Sequence, residues 1–264
     1  MSVLARDIRA RLGRREVLEG ASLAAEPGEV TCIVGPNGSG KSTLLRCLSG
    51  DLAYRGRIAL NGRDLSDYRP RDMAAIRAVL EQALSVAFPF TVAEVVALGL
   101  GAGLAAGEAG QVAAALARVG LQGHAARPFG ELSGGEQQRA HLARVIAQVP
   151  EPCRDGAPRW LFLDEPVSSL DIGHQLMVMA LARDHAARGG GVIAVMHDLN
   201  LTAMFADRVA VMRAGRVLAM GTPAETLTAP VLEAAYGCAL RPGLVPAGVF
   251  VLPQSAGPLQ RAFT

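Results

Sequence analysis

Residues 30–34, Val-Thr-Cys-Ile-Val, form a short apolar run with β-branched residues, and a glycine-rich segment follows. From Ser42 to Ser49 apolar positions recur at helical spacing, with Gly50 as a stop. The pattern predicts strand, loop, helix. Arg57 to Leu60, followed by Asn61-Gly62, predicts a strand entering a turn, and Ala78 to Leu80 a further strand edge. The middle of the chain changes character. Thr91-Val92-Ala93-Glu94 has the spacing of a capping box opening an apolar helix, and Gln111 to Val119 predicts a second helix stopped by Gly120. Ser133-Gly134-Gly135-Glu136 opens a third that runs to about Gln148. Segment 88–149 therefore reads as a helical subdomain inserted into an α/β core.

The core pattern resumes with a buried strand at Trp160 to Leu163, then an amphipathic helix from Ile172 to Arg188 that Gly189-Gly190-Gly191 ends. Val192 to Met196 predicts another buried strand, and Leu199 to Phe205 a helix. Val209–Met212 and Val217–Met220 predict a hairpin around Ala214-Gly215, before a short helix near Ala224. Alternating strands and helices imply a mostly parallel sheet covered on both faces. The tail after Gly237 is rich in Gly and Pro and predicts an irregular extension.

The chain has 264 residues, half of them hydrophobic, enough for one α/β domain with a sizeable core. A net charge of +2 with 19% charged residues gives no electrostatic argument for nucleic acid. Cys32, Cys47, Cys153 and Cys238 show no C-x-x-C spacing, which speaks against structural zinc and fits a reduced, cytosolic compartment. The arginine-studded N-terminus lacks the apolar region of a secretory signal. The longest weakly charged stretch, 83–107, contains Pro89 and Glu94 and makes a poor membrane helix, so membrane association is expected only through a partner.

Gly35-Pro36-Asn37-Gly38-Ser39-Gly40-Lys41-Ser42 matches G-x-x-x-x-G-K-[ST], and Thr43 follows inside the helix. Glycines let backbone N–H groups point at phosphate oxygens, and the helix start adds its positive end. The spacing gives Lys41 the β- and γ-phosphates and Ser42 a Mg²⁺ ion. The strand Leu161-Phe162-Leu163 ends in Asp164-Glu165. Adjacent carboxylates at a buried strand end are costly without a cationic partner. A Mg²⁺–phosphate site resolves this, with Asp164 on the metal and Glu165 polarising the attacking water as general base. The two motifs together read as a P-loop nucleotide hydrolase.

Leu132-Ser133-Gly134-Gly135-Glu136-Gln137-Gln138-Arg139 resembles the signature sequence of ABC ATPases. A serine cap with glycine amides at a helix start is a second anion-binding surface. The resemblance covers nearly the whole chain. It implies the ABC ATPase fold: a P-loop α/β core with a mostly parallel sheet, an antiparallel β-rich N-terminal part and the helical insertion. It places the nucleotide-binding domain over 1–242 and an extension over 243–264. It also implies a head-to-tail homodimer in which Ser133, Gly134, Gly135 and Glu136 of one copy face the γ-phosphate held by the other. Gln82 matches the glutamine that contacts Mg²⁺ or the water, Asp171 the interface aspartate, and His197 the histidine that contacts the γ-phosphate. In the family an aromatic side chain usually stacks on adenine; here that position falls close to Leu12, leaving an aliphatic surface of Leu12 and Val17. Val167 stands where Thr is common.

Three peripheral stretches resemble the ATP-binding subunits of bacterial haem importers: Leu84 to Val92, the insertion Pro150 to Arg159, and the run Leu227 to Arg241 with Tyr236-Gly237. Importers of vitamin B12 and ferric siderophores share the core. The resemblance implies ATP and Mg²⁺, a two-copy transmembrane permease, an indirect periplasmic haem-binding partner, and a peripheral place on the cytoplasmic face of the inner membrane. Haem binding by the chain itself does not follow, because its His and Cys residues lack a C-x-x-C-H spacing. A soluble ABC ATPase acting on DNA or ribosomes would carry a coiled-coil insert or a second cassette, and neither pattern is present.

Overall fold

The computed structural model describes residues 1–82, 89–102, 109–244, 248–249 and 251–256. Residues 84–88 of the first haem-importer-like stretch lie outside the described residues, as do 83 and 103–107 of the weakly charged stretch and 245–247, 250 and 257–264 of the tail.

The chain opens on two long strands, β1 (Val3–Leu12) and β2 (Arg15–Ala25), before β3 (Val30–Val34) and helix α1 (Lys41–Leu48). Strands β4 (Arg55–Leu60) and β5 (Arg63–Asp64), helix α2 (Pro70–Ile76) and strand β6 (Arg77–Leu80) follow. The helical stretch holds α3 (Val92–Ala102), α4 (Ala109–Arg118) and α5 (Gly134–Gln148). A small hairpin, β7 (Cys153–Arg154) and β8 (Ala157–Pro158), leads into β9 (Trp160–Asp164), α6 (Ile172–Ala187) and β10 (Gly191–Val195). The chain continues through α7 (Leu199–Phe205), β11 (Arg208–Arg213), β12 (Arg216–Gly221), α8 (Pro223–Thr226) and α9 (Ala229–Tyr236).

Two sheets result. One is antiparallel, in the order β2-β1-β4-β5; the other has the order β12-β11-β3-β10-β9-β6 and is parallel except for the β11–β12 hairpin. The central parallel strands β3, β9 and β10 are buried along their whole length, which is why they read as continuous apolar runs. The period of two still sorts their side chains. Val30, Cys32, Val34, Leu161, Leu163, Val192 and Ala194 face the core shared with α3, α5 and α6. Ile33, Trp160, Phe162, Ile193 and Val195 face the core shared with α1 and the N-terminal sheet.

Helix α6 departs from the amphipathic reading. Leu176, Met177, Val178 and Met179 are buried in succession, so its central turn is enclosed on all sides. The three glycines after it do more than end it. A Cβ on Gly190 would lie 2.3 Å from His185 Nε2, and one on Gly191 2.3 Å from the Trp160 ring. Both glycines thus let β10 sit against buried rings. The β7–β8 hairpin docks at the same place: the Arg159 carbonyl lies 2.9 Å from His185 Nε2.

Burial pushes the His185 imidazole from its ordinary 6.5 down to about 4. The native state therefore holds it neutral while the unfolded chain takes up a proton near pH 6.5. Its contribution is complete above pH 6.5 and is lost as pH falls towards 4. Chemical unfolding at pH 7 and pH 5 is expected to differ by about 2 kcal/mol from this group, less stable at pH 5. The His185→Gln chain should show a correspondingly smaller pH dependence; an unchanged dependence would remove the assignment.

Candidate functional site

Parallel strands deliver their last residues to one edge of the sheet, and that edge is where open α/β sheets place ligands. Register fixes which residues arrive together. Val195 pairs with both Asp164 and Ile33, and Leu80 with Leu163. The residues just beyond these strand ends are the loop from Gly35, then Glu165, His197 and Gln82. Together with Asn37, Gly38, Gly40, Lys41, Ser42 and Thr43 on the loop and α1, and with Leu12 and Val17 from the N-terminal sheet, the last three line one cavity of about 970 Å³.

The loop depends on glycine at two positions. Gly35 has φ 149°, and a Cβ there would lie 2.3 Å from the Met212 carbonyl oxygen. Gly40 has φ 100°, with Leu18 Cδ2 2.9 Å from where its Cβ would be. Gly215 N–H donates to the Ser39 carbonyl at 3.0 Å, and Gly35 N–H hydrogen-bonds the Tyr236 hydroxyl at the end of α9. The curled loop presents its carbonyls to Lys41, whose Nζ donates to Gly35 O at 2.9 Å and Pro36 O at 3.1 Å. Lys41 is 6% exposed. Burial draws its pKa below the ordinary value, and the neighbouring Glu165 and Asp164 carboxylates oppose that shift.

Ser42, on the cavity wall, donates through Oγ to Asp164 Oδ1 at 2.9 Å, and Asp164 itself lies outside the lining. Burial raises the Asp164 pKa; the Ser42 hydrogen bond pulls it down, and Glu165 next to it pushes it up again. Glu165 Oε1 lies 2.6 Å from His197 Nε2. Glu165 has φ 50°, a left-handed backbone rare outside glycine, and its N–H donates to the Val195 carbonyl at 3.2 Å. The Asp164 and Glu165 carboxylates thus both adjoin one buried ammonium.

The signature segment and Asp171 do not line this cavity. Ser133 caps α5: its Oγ accepts from Glu136 N–H at 3.3 Å, while Glu136 Oε2 accepts from Ser133 N–H at 2.8 Å. This reciprocal cap holds the Glu136 carboxyl below its ordinary pKa. Ser133 and Gly134 are exposed. Asp171 caps α6 through His174 N–H at 2.9 Å and is exposed as well.

Sequence reasoning missed Ala214 and Gly215 as cavity residues, and Arg15, Glu16 and Glu19. The Ala214-Gly215 turn is legible, but its contact is not: a Cβ on Gly215 would meet Val17 O at 2.4 Å, so the hairpin tip presses on β2. Nothing local in the sequence pairs those two segments.

Comparison with known proteins places this geometry. A family model described as ABC transporter matches residues 18–168. The hemin import ATP-binding protein HmuV of Mesorhizobium japonicum is 56% identical over 258 residues, covering 96% of this chain and 98% of that protein. The protein of the same name from Ruegeria sp. is 57% identical over 258 residues, covering 97% and 99%. Among solved structures, an ATP binding subunit of an ABC transporter superposes with a TM-score of 0.74 at 21% identity, over 90% of this chain and 94% of that one. A bacterial Atm1-family ABC exporter with ATP bound gives a TM-score of 0.73 at 27% identity, over 86% of this chain and 39% of that one. The chain belongs to the ABC transporter family, as one of its ATP-binding subunits.

Proposed function

We propose that the chain binds and hydrolyses ATP to drive haem import through a membrane permease. The observation that carries the reading is that Lys41, Ser42, Glu165 and His197 line one cavity, with Asp164 joined to it through the hydrogen bond it accepts from Ser42. Haem as cargo rests on the relatives named hemin import ATP-binding proteins.

The phosphate chain seats over residues 35–43, where loop amides and the start of α1 face it. Lys41 exchanges its two carbonyl acceptors for β- and γ-phosphate oxygens, which form stronger, charge-assisted hydrogen bonds. Leu12 and Val17 offer the adenine an aliphatic surface. The oxygen donors of Ser42, Asp164 and Gln82 suit Mg²⁺, which is held through few carboxylates plus substrate phosphates. The adjacent Asp164 and Glu165 carboxylates leave a negative charge that such a cation balances. The ion neutralises charge on the phosphates when bound. Glu165 takes a proton from water as its oxygen attacks the γ-phosphorus, the bond to the ADP oxygen breaks, and phosphate and ADP leave. The 2.6 Å contact between His197 and Glu165 is then a resting pose, released when His197 turns to the γ-phosphate.

The exposed start of α5, with Ser133, Gly134, Gly135 and Glu136, serves the nucleotide of a second copy, and Asp171 lies at that interface. A homodimer of this kind drives a two-copy permease, and a periplasmic haem-binding protein supplies cargo from the far side. Among the described residues no helix is long and apolar enough to cross a membrane, which fits peripheral attachment to the cytoplasmic face. Helices α3, α4 and α5 form the helical subdomain that receives the permease.

In vesicles carrying the chain with its permease and binding protein, haem uptake should require ATP. Glu165→Gln should lower hydrolysis about 10²–10³-fold while ATP binding persists. Native-rate hydrolysis by that variant would refute the base assignment, and transport of a corrinoid but not haem would refute the cargo. Asp164 supplies a separate check. Burial raises its pKa, so its charge costs the nucleotide-free protein stability at pH 7, and that stability is regained only as pH falls below the raised pKa. Asp164→Asn should raise the thermal midpoint without nucleotide by about 2–4 °C and sharply reduce Mg²⁺-dependent hydrolysis. A lowered midpoint would contradict this.

A further inference from the structure

The loop 165–170, between β9 and α6, holds two non-glycine residues in the left-handed region: Glu165 at φ 50° and Ser169 at φ 62°. Pro166 follows Glu165, and a residue before proline favours extended backbone. Such conformations persist only where the surroundings impose them. Here the surroundings are side-chain amides from two helices. Gln175 Nε2, on α6, donates to Leu170 O at 3.0 Å and Val167 O at 3.4 Å. Gln138 Nε2, on α5, donates to Glu165 O at 3.1 Å. The same carbonyl accepts from Ser168 N–H at 3.1 Å and Ser168 Oγ at 2.9 Å. Both Ser168 donors are inside the loop. Gln138 is the tie from outside it to the carbonyl of Glu165.

Helix α5 is also the element capped by Ser133 and Glu136. Near its start, a Cβ on Gly135 would lie 3.4 Å from Leu170 Cδ2 and 3.5 Å from Ser169 O, so the helix rests directly on the loop. Towards its end, Arg144 Nη2 donates to Val79 O at 3.1 Å, and Gln148 Nε2 donates to Arg77 O at 2.9 Å, both on β6, the strand that leads to Gln82. A tilt of α5 therefore acts on two strand ends of the cavity. At Glu165 it acts through one hydrogen bond to a strained peptide, whose orientation sets where the carboxylate points.

We propose that Gln138 is a positioning residue: it couples the orientation of the signature helix to the aim of Glu165 within the same chain. The inference rests on Glu165 being the base that serves the attacking water. Gln138 lines none of the cavity. Engagement of the α5 start by an anion would thereby be felt at Glu165 in the same copy.

The test is steady-state ATP hydrolysis by the full-length chain carrying Gln138→Met or Gln138→Glu. Methionine keeps the length and removes the donor. The first variant should lower kcat about five- to tenfold, the size of one neutral hydrogen bond, with KM for ATP within about twofold. In the second, the substituted carboxylate has no donor while ionised and regains one when protonated. The ratio of its kcat to the native kcat should therefore rise as pH is lowered from 8 to 6, a response that loss of packing would not give. Native kcat in Gln138→Met, or a raised KM with kcat intact, overturns the proposal while leaving Glu165 as the base if Glu165→Gln stays inactive. If Glu165→Gln hydrolyses normally, the underlying reading falls instead. Should Gln138→Met fail to bind ATP, the pH ratio decides, and a flat ratio overturns the proposal.

Discussion

The ammonium group of Lys41 is the charge around which the site is organised. It is almost wholly removed from water, and two loop carbonyls and two nearby carboxylates hold it charged. An ion so placed is stable only while its acceptors stay where they are. That condition is why the loop tolerates no Cβ at Gly35 or Gly40 and why the β11–β12 turn is tied to Ser39. The carbonyls are neutral acceptors. Anionic phosphate oxygens are stronger ones, so ATP has a ready means of drawing Lys41 into the cavity.

The sheet supplies everything opposite Lys41. Parallel strands in register bring Asp164, Glu165 and His197 to one edge although they are far apart in sequence. A slip of one residue in β9 would exchange its two cores and swing Asp164 away from Ser42. Packing and chemistry are therefore fixed by the same pairing. The close fit of Gly191 on the Trp160 ring helps to enforce it, and Trp160 Nε1 is itself pinned to Asn61 Oδ1 at 3.0 Å.

Much of this was legible in the sequence because the signals are local. The two capping boxes at Thr91–Glu94 and Ser133–Glu136 close within three residues, and the loop glycines and buried strands are short contiguous runs. The antiparallel N-terminal sheet was expected only from family resemblance. In β1 the buried positions run Val3, Ala5, Ile8, Ala10, and a register shift between Ala5 and Ile8, with Asp7 at φ 50°, breaks the period of two. Helix α2, the β7–β8 hairpin and α9 are short elements that the pattern did not single out. The remaining gaps are contacts between distant segments: Gly215 on Val17, Tyr236 with Gly35, and Gln138 with Glu165. No spacing rule encodes those, since each depends on how separate elements pack.

The cavity described here is one half of the proposed clamp. The exposed Ser133 and Gly134 lie outside its lining. In the proposed dimer, a second copy turned head to tail supplies the missing helix start. The structure of the Glu165→Gln protein loaded with Mg²⁺ and ATP tests this most directly. Two-sided clamping predicts each triphosphate between Lys41 of one copy and Ser133 and Gly135 of the other. Nucleotide bound by single copies, with Ser133 in open solvent and no second chain against the γ-phosphate, would contradict it.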